Sequence, residues 1–536
     1  MKTEHMPAWR VPKSPFDRTR PAPHRVLWIL PAALSLVVIA RCAVESGKRL
    51  MWADEFLTWY PVSAPFHSML VASTDQINSA PPLYFILAWC WTALFGMSAL
   101  TLRLFSAAAI AAAILVMYAV LRRNFGAFAA AAALAVSLLD PELLYQSSQA
   151  RFHALVVVEV AIAVAAYQRV LEADQPSIRS LMMNAAIHAC IVMTDYSGFF
   201  YSGAIFCATA VSCFLCRKSP VRACFSVFAG WLVFIPWIPT LLKHYQLGKP
   251  TFWIPTPNLG SLLSTFKGYL QGGFPLFAGG LAAIALVGAV LAIFEGDTAS
   301  LLRKSLQVVR RRDVPLLAVG LAVFSVPVAI YIVSVRPNGI SIYLPRYIIP
   351  GALGEAILCA YLGHLAFRTR PRSHPVRPRR MLLTFQGIAV SGFVAWAGWT
   401  MMNEVRIMAP EARPPDSPPN PGRDPVVEEH INVFLRDHFY APHPERYYFL
   451  VDPDAAIKEG GGWPGTHKNM AALKRNFPGQ FKNVVPAVDF LAATKSFWIV
   501  RGWIPWYSIR IQNNPAFIVD QSVDGGAFLH VSRRGN

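Results

Sequence analysis

The sequence predicts a mostly α, polytopic membrane helix bundle of about eleven spans, followed by a small extracytoplasmic α/β domain at its C-terminal end. Three observations lead there. Of 536 residues, 54% are hydrophobic and only 15% charged, more apolar and less charged than an ordinary soluble domain. Apolar stretches approaching the roughly 20 residues that carry a helix across about 30 Å of hydrocarbon recur as far as Met402. The formal charge of +19 is gathered in short clusters between those stretches, which is a topology signal rather than the footprint of a nucleic-acid binder.

The expected spans run Val26 to Val44, Leu100 to Leu121, Ala127 to Leu144, Phe152 to Leu171, Leu181 to Thr194, Phe199 to Cys216, Ala223 to Leu242, Leu276 to Phe294, Val314 to Val335, Tyr347 to Phe367 and Met381 to Met402. Residues 1–25 form a basic tail containing Arg10, Lys13, Arg18, Arg20 and Arg25. No small-residue cleavage site follows the first apolar stretch, so it reads as a retained helix with its N-terminus cytoplasmic.

The apolar stretch Leu83 to Phe95 decides the topology of everything after it. Placed flat on the outer surface, it leaves every dense basic cluster on the cytoplasmic side: Arg122 and Arg123; Arg217, Lys218 and Arg222; Arg303, Lys304 and Arg310 to Arg312; and the six arginines from Arg368 to Arg380. Placed across the membrane, it turns all of them outward. Its length, about 13 residues, also suits an interfacial helix better than a span. The membrane part is thus residues 26–402, with outer segments at 45–99 and 243–275.

Residues 403–425 hold Pro410, Pro414, Pro415, Pro418, Pro419, Pro421 and Pro425 and read as a semi-rigid spacer. In residues 426–536, Val426 to His438 reads as a helix, and Tyr447 to Val451, Phe497 to Val500 and Ala527 to Val531 as strands. No catalytic motif stands out in this region. None of the eight cysteines lies beyond Cys359, so disulfides do not hold it, and the isolated pair Cys213 and Cys216 has no second pair or histidine cluster nearby.

The chemistry-bearing residues collect in the outer segments. Asp54 and Glu55 lie about ten residues past the first span, followed by Phe56, Leu57, Trp59 and Tyr60. Partial desolvation among aromatic rings raises a carboxylate toward the pKa that proton abstraction needs. The same pair would also serve simply to cap a surface helix. Transfer of a sugar from a phosphate-linked lipid has a good leaving group, so it needs a base on the acceptor hydroxyl and a cation on the phosphate more than a general acid. Arg103, Arg151 and Arg346 lie at outer helix ends, with Lys243, Lys249 and Lys267 in the long outer loop. Each is a phosphate-binding candidate or, in the plainer reading, an interfacial anchor.

Over roughly Ala53 to Pro350 the order of motifs resembles the GT-C superfamily of integral membrane glycosyltransferases. They are Asp54-Glu55, Pro81-Pro82-Leu83-Tyr84, Phe95-Gly96, Arg103-Leu104-Phe105-Ser106-Ala107, then Tyr145, Ser148, Gln149, Ala150 and Arg151, then Thr194-Asp195-Tyr196, Phe252-Trp253-Ile254-Pro255 and Pro345-Arg346-Tyr347. The chain is similar in particular to the family 39-like bacterial protein O-mannosyltransferases and the aminoarabinose and galacturonic acid transferases of lipid A. The resemblance implies a polyprenyl-phosphate sugar donor in a cavity under the outer loops, inversion at the anomeric carbon, and a glycan, lipid or protein acceptor at the periplasmic face of a bacterial inner membrane. It gives Asp54 the role of the family's essential first-loop acid, with Glu55 supporting it. Arg346 would hold the carrier phosphate together with Tyr347, and Arg103 and Arg151 join them as donor-binding candidates. Tyr84, Gln149, His153, Asp195, Tyr196, Trp253 and Glu142 are the candidate cavity residues.

The sequence also departs from those relatives. Ala80 and Asp195 stand where many have histidine, and Gln149 where many have glutamate. A divalent cation (Mg, Mn or Ca) is therefore an expectation without assigned ligands. Glu159 lies about seven residues into a span, on the order of 10 Å below the outer surface. An ionisable group at that depth is a candidate for function or a protonated partner in helix packing. Two other classes stay open on sequence: a transporter or flippase of lipid-linked sugars, expected to show inverted repeats and broken helices, and a catalytically inert scaffold.

Overall fold

A computed structural model describes residues 28–75, 77–249, 253–283, 313–337, 339–367, 376–412, 422–458, 464–502 and 505–534. The basic tail, residues 413–421 of the proline-rich spacer, the second half of the expected span Leu276 to Phe294, and the cluster from Arg303 to Arg312 lie outside them, and the start of the spacer is corrected, since residues 403–407 continue the helix Val376–Ile407. Among the described residues six helices, not eleven, are long and apolar enough to cross a membrane: Ile29–Ser46, Ala99–Phe125, His153–Glu172, Gly198–Leu215, Val221–Gly248 and Val314–Ser334. Four of the other expected spans coincide with shorter apolar helices, Ala127–Ser137, Ile178–Thr194, Phe274–Ala283 and Gly351–Ala366, and the last lies within the helix Val376–Ile407.

Local chemistry sets several of these ends. The Ser98 hydroxyl caps the 27-residue helix Ala99–Phe125 by accepting from Thr101 N. That helix stops at Gly126, whose φ of +96° only glycine adopts without strain, and the chain reverses directly into Ala127–Ser137. Asp140 caps the turn Pro141–Gln146 through Leu143 N at 2.8 Å. Ile29–Ser46 and His153–Glu172 both pack on Ala99–Phe125, and most of their facing residues are alanine, valine and leucine with almost no exposure. Farther along, Val314–Phe324 meets Gly351–Phe367 with backbones close: a Cβ added at Gly354 would lie 2.5 Å from Phe324 N and 2.6 Å from Gly320 O. Small residues at such crossings replace the hydrophobic drive that lipid does not provide.

Leu83–Phe95 is a 13-residue helix, about 20 Å long at 1.5 Å per residue, short of the roughly 30 Å hydrocarbon layer. It lies against Ala53–Ser63, Phe66–Ser73 and Ala99–Phe125. Two indole N–H groups pin it: Trp89 donates to Ala64 O at 3.1 Å and Trp91 to Thr101 O at 2.8 Å.

The C-terminal region is a small mixed β/α domain. Its strands are β1 (Val426–Glu428), β2 (Tyr447–Val451), β3 (Val484–Pro486), β4 (Ser496–Val500), β5 (Phe517–Val523) and β6 (Phe528–Arg533). The sheet order is β3-β2-β1-β4-β6-β5, parallel from β3 through β4 and antiparallel beyond. The expected helix Val426 to His438 is corrected: its first three residues are the central strand β1, and the helix begins at Ile431. Buried on both sides between β2 and β4, β1 reads as an apolar run that helical periodicity does not separate from the helix after it.

On one side the core of this domain is continuous with that of the preceding part of the chain. Phe434, Leu435, Phe449, Phe481 and Trp498 share a continuous apolar cluster with Met51, Phe56, Leu57 and Tyr60, which lie shortly after the helix Ile29–Ser46. Tyr60 meets Phe481 edge to face at 4.5 Å between ring centres. Polar ties follow at the rim: Arg475 bonds Asp75 at 2.9 Å, and Met51 N donates to the Tyr440 hydroxyl at 3.2 Å.

Candidate functional site

Asp54 and Glu55 occupy the first turn of the helix Ala53–Ser63, where negative charge is favoured by the helix dipole. Their surroundings separate them. Glu55 is fully buried, and Arg103, 2% exposed, grips it with two hydrogen bonds, Nε to Oε1 at 2.8 Å and Nη2 to Oε2 at 2.6 Å. Oε1 also accepts from Ala150 N at 3.0 Å, and Oε2 from Trp52 N at 3.4 Å. The rest of the Arg103 guanidinium donates to the carbonyls of Arg49 and Leu50 at 2.9 and 3.0 Å. Both groups are thus saturated by the protein itself, and together they tie the first outer segment to the loop around Gln149 to Arg151.

Asp54, one residue earlier, keeps about a fifth of its side chain exposed and forms an ion pair with Arg346, Nη1 to Oδ2 at 2.6 Å. Arg346 comes from the short helix Pro345–Ile348. Two tyrosine hydroxyls hold that segment: Tyr201 donates to Tyr347 O at 3.1 Å and Tyr269 to Ile348 O at 2.5 Å. The Arg346 guanidinium stands 5.9 Å from the Trp253 ring and 5.6 Å from the Tyr347 ring, within cation–π range. A cation with aromatic walls beside a carboxylate about a fifth exposed makes a small polar site.

Arg151 completes the arrangement. Its Nη1 donates to Asp54 O at 3.0 Å and to Asn78 Oδ1 at 2.5 Å, and its guanidinium lies 4.8 Å from the centre of the Phe152 ring. His153 is buried with its ring 5.5 Å from that of Tyr347. Asp195 caps Ile178–Thr194, accepts a hydrogen bond from the Ser197 hydroxyl, and has Arg151 among its charged neighbours. Burial pushes its carboxyl above the usual carboxylate range, with the Ser197 bonds and Arg151 opposing.

The structure therefore brings together Asp54, Arg346, Tyr347, Arg151, Trp253 and His153, with Asp195 adjacent. Gln149 takes a framework position, accepting from the Trp52 indole at 2.6 Å. Tyr84 is fully buried among Phe85, Phe105 and Phe152. Glu142 bonds Gln146 within its own short helix, and Tyr196 turns to His244 and Trp237. Glu159 accepts from the Thr194 hydroxyl at 2.7 Å. Sequence reasoning missed Asn78, which fixes Arg151 and donates to Leu57 O at 2.5 Å; its place just ahead of Pro81-Pro82 was the available signal. It also missed a second buried pair, Arg41 with Glu45 at 2.8 Å, the latter also accepting from Ser148. Among the described residues no group of three or more His, Cys, Asp or Glu side chains is placed to hold a metal ion.

Comparison with protein-family models and with curated protein sequences gives no match. Solved structures do match: the crystal structure of ArnT from Cupriavidus metallidurans bound to undecaprenyl phosphate is similar over 95% of this chain and 98% of its own, with a TM-score of 0.54 at 13% identity. The apo crystal structure of the same protein gives a TM-score of 0.53 over the same shares at the same identity. Along nearly its whole length the chain thus has a fold similar to that of ArnT, built around helices long and apolar enough to cross a membrane.

Proposed function

We propose that this protein is an inverting glycosyltransferase that moves a hexosyl or pentosyl group from a polyprenyl-phosphate donor to a glycan, lipid or protein acceptor at the periplasmic face of the inner membrane. The observation that carries this reading is the Asp54–Arg346 contact, 2.6 Å between groups 292 residues apart in sequence. A base for the acceptor and a cation for the phosphate are the two groups the reaction needs, and they meet where each side chain keeps about a fifth of its surface exposed. That the solved relative binds undecaprenyl phosphate supports a lipid-phosphate donor.

In the proposed step the donor phosphate takes over the Arg346 guanidinium, with Arg151 adding positive potential, and the released Asp54 carboxylate accepts the proton of an acceptor hydroxyl. The hydroxyl oxygen forms a bond to the anomeric carbon from the face opposite the phosphate. The carbon–oxygen bond to phosphate breaks, and its electron pair leaves with the polyprenyl phosphate. Arg346 stabilises the charge that grows there. Glu55 and Arg103, being saturated by each other, act in this scheme as the fixed platform for Asp54.

Replacing Asp54 by Asn tests the scheme. Removing the base lowers transfer by about 10²- to 10⁴-fold while binding of undecaprenyl phosphate persists. Transfer is read by mass analysis of lipid A and envelope glycans from cells carrying the wild-type or variant gene. An unchanged profile in the variant strain, with a sugar that depends on the wild-type gene, would remove Asp54 from the chemistry.

A further inference from the structure

Three arginines bond the turn that carries Asp54 and Glu55, and they differ in what balances their charge. Arg103 is matched by Glu55 at 2.6 Å and Arg346 by Asp54 at 2.6 Å. Arg151 has no such partner. Its Nη1 donates to the Asp54 backbone carbonyl at 3.0 Å and to the Asn78 amide oxygen at 2.5 Å, its buried Nε has no hydrogen-bond partner, and among the described residues no carboxylate stands within ion-pair distance of it. Yet only 6% of Arg151 is exposed. Asp195, the other acid that faces it, accepts from the Ser197 hydroxyl instead. A buried guanidinium held by neutral acceptors alone is costly unless an anion joins it.

Asn78 keeps it in that condition. While its Oδ1 accepts from Arg151, its Nδ2 donates to Leu57 O at 2.5 Å, so one amide ties the guanidinium to the helix that carries Asp54. The two bonds require an acceptor on one side and a donor on the other, which an amide supplies and an ionised carboxyl does not. A carboxylate there would neutralise Arg151 and set a negative oxygen against Leu57 O. The same stretch of chain does hold an acid, but that acid is engaged elsewhere. Asp75, the one acidic residue between Thr74 and Ser79, accepts from Arg475 and Asn476 of the C-terminal domain, each at 2.9 Å. Ser79 takes a φ of +45°, left-handed backbone that a residue with a side chain seldom adopts, so the turn beside Asn78 is held against a local cost.

We infer that Asn78 is a positioning residue that anchors Arg151 through a neutral acceptor, so that the guanidinium keeps its whole charge for the phosphate of the lipid donor. This rests on the reading of the donor as a lipid phosphate and divides the work between the two arginines. Arg346 is matched by Asp54 until the donor arrives. Arg151 offers an unmatched charge beforehand and favours a lipid that carries an anion over the same lipid without one.

Full-length protein in nanodiscs is titrated with undecaprenyl phosphate and with undecaprenol, which has the same chain and no charge, and binding is read by native mass spectrometry. Asn78→Asp should weaken undecaprenyl phosphate about tenfold or more and leave undecaprenol where it was. Asn78→Ala loses the same tie to Leu57 O but brings no charge, and should cost the phosphate severalfold less. Arg151→Gln keeps an amide donor without the charge and should match Asn78→Asp. A merely structural role for Asn78 predicts otherwise, with Asn78→Ala as weak as Asn78→Asp and both lipids falling together; either result overturns the inference. So does phosphate binding at the wild-type level in Asn78→Asp or in Arg151→Gln, and the second of these decides alone should Asn78→Asp fail to fold. Arg346→Ala tells the two failures apart. If it loses the phosphate while Asn78→Asp keeps it, the lipid-phosphate reading stands and the role of Asn78 falls; if the wild-type protein shows no preference for the phosphate over the alcohol, both fall.

Discussion

Replacing Glu55 by Ala separates a structural acid from a catalytic one. In the native protein the fully buried Glu55 carboxylate is held by two Arg103 hydrogen bonds and by Ala150 N. The variant leaves a guanidinium that is 2% exposed with only the Arg49 and Leu50 carbonyls. Stranding one partner of a buried ion pair costs about 3–5 kcal/mol, and the orphaned Ala150 N–H adds about 1–3 kcal/mol. Against the 5–15 kcal/mol typical of a folded domain, that is enough to unfold the first outer segment or the protein. The double variant Glu55→Leu/Arg103→Met removes both charges and should recover part of the loss, the ion-pair share, while Ala150 N–H and the Arg49 and Leu50 carbonyls stay unpaired. The assay is denaturant unfolding of the full chain in detergent, paired with undecaprenyl phosphate binding and transfer. Glu55→Ala unfolding at the wild-type midpoint would refute the structural assignment. So would a Glu55→Gln variant of native stability that has lost transfer completely, since Glu55 would then be doing chemistry.

Three further outcomes are expected. Arg346→Ala should weaken undecaprenyl phosphate binding by about 1.5–3 kcal/mol, the range for a hydrogen bond to a charged group, measured by native mass spectrometry; Arg346→Lys should recover part of it. Gly354→Ala places a methyl group 2.5 Å from Phe324 N and should destabilise by about 1–3 kcal/mol, seen as a lower midpoint with unchanged lipid binding. His467 has a native pKa lowered to about 4 by burial, so between that value and its ordinary one near 6.5 the unfolded chain binds more protons. Its contribution is whole above about 6.5 and falls by about 1.4 kcal/mol per pH unit toward 4. Glu428, with a raised pKa, acts in the opposite sense. The His467 effect is therefore read as the difference between wild type and His467→Gln in hydrogen exchange of β2, a difference that should shrink on acidification.

The membrane character and the positions of the helices were legible because lipid imposes a single coarse rule, about 20 apolar residues per crossing. Span counting was less so: Ala127–Ser137 is 11 residues, yet it continues into the apolar Leu138 and Leu139, which the sequence does not mark off. Within the site, motif order pointed to Asp54 and Arg346, but no periodicity relates residues that far apart. The reading of Arg103 as a lipid contact is met by a side chain sealed against Glu55, because an arginine at an outer helix end looks the same in sequence whether it faces solvent or a buried carboxylate. In the C-terminal domain Tyr447 to Val451 and Phe497 to Val500 were visible as β-rich runs. The three-residue strands β1 and β3 were not, since partners supplied from elsewhere in the chain, not local preference, make them strands.

The apolar cluster joining Phe56 and Tyr60 to Phe434 and Phe481 has a consequence for biogenesis. The segment bearing Asp54 is synthesised early, but the rings that seal it follow only when the last part of the chain has been made, on the order of a minute later at ordinary synthesis rates. Until then the aromatic face of Ala53–Ser63 is wet, and its carboxylates are without their final setting. A prematurely terminated chain would form its helices and still lack an ordered Asp54 segment, so that the setting of Asp54 and Glu55 is complete only once translation has finished.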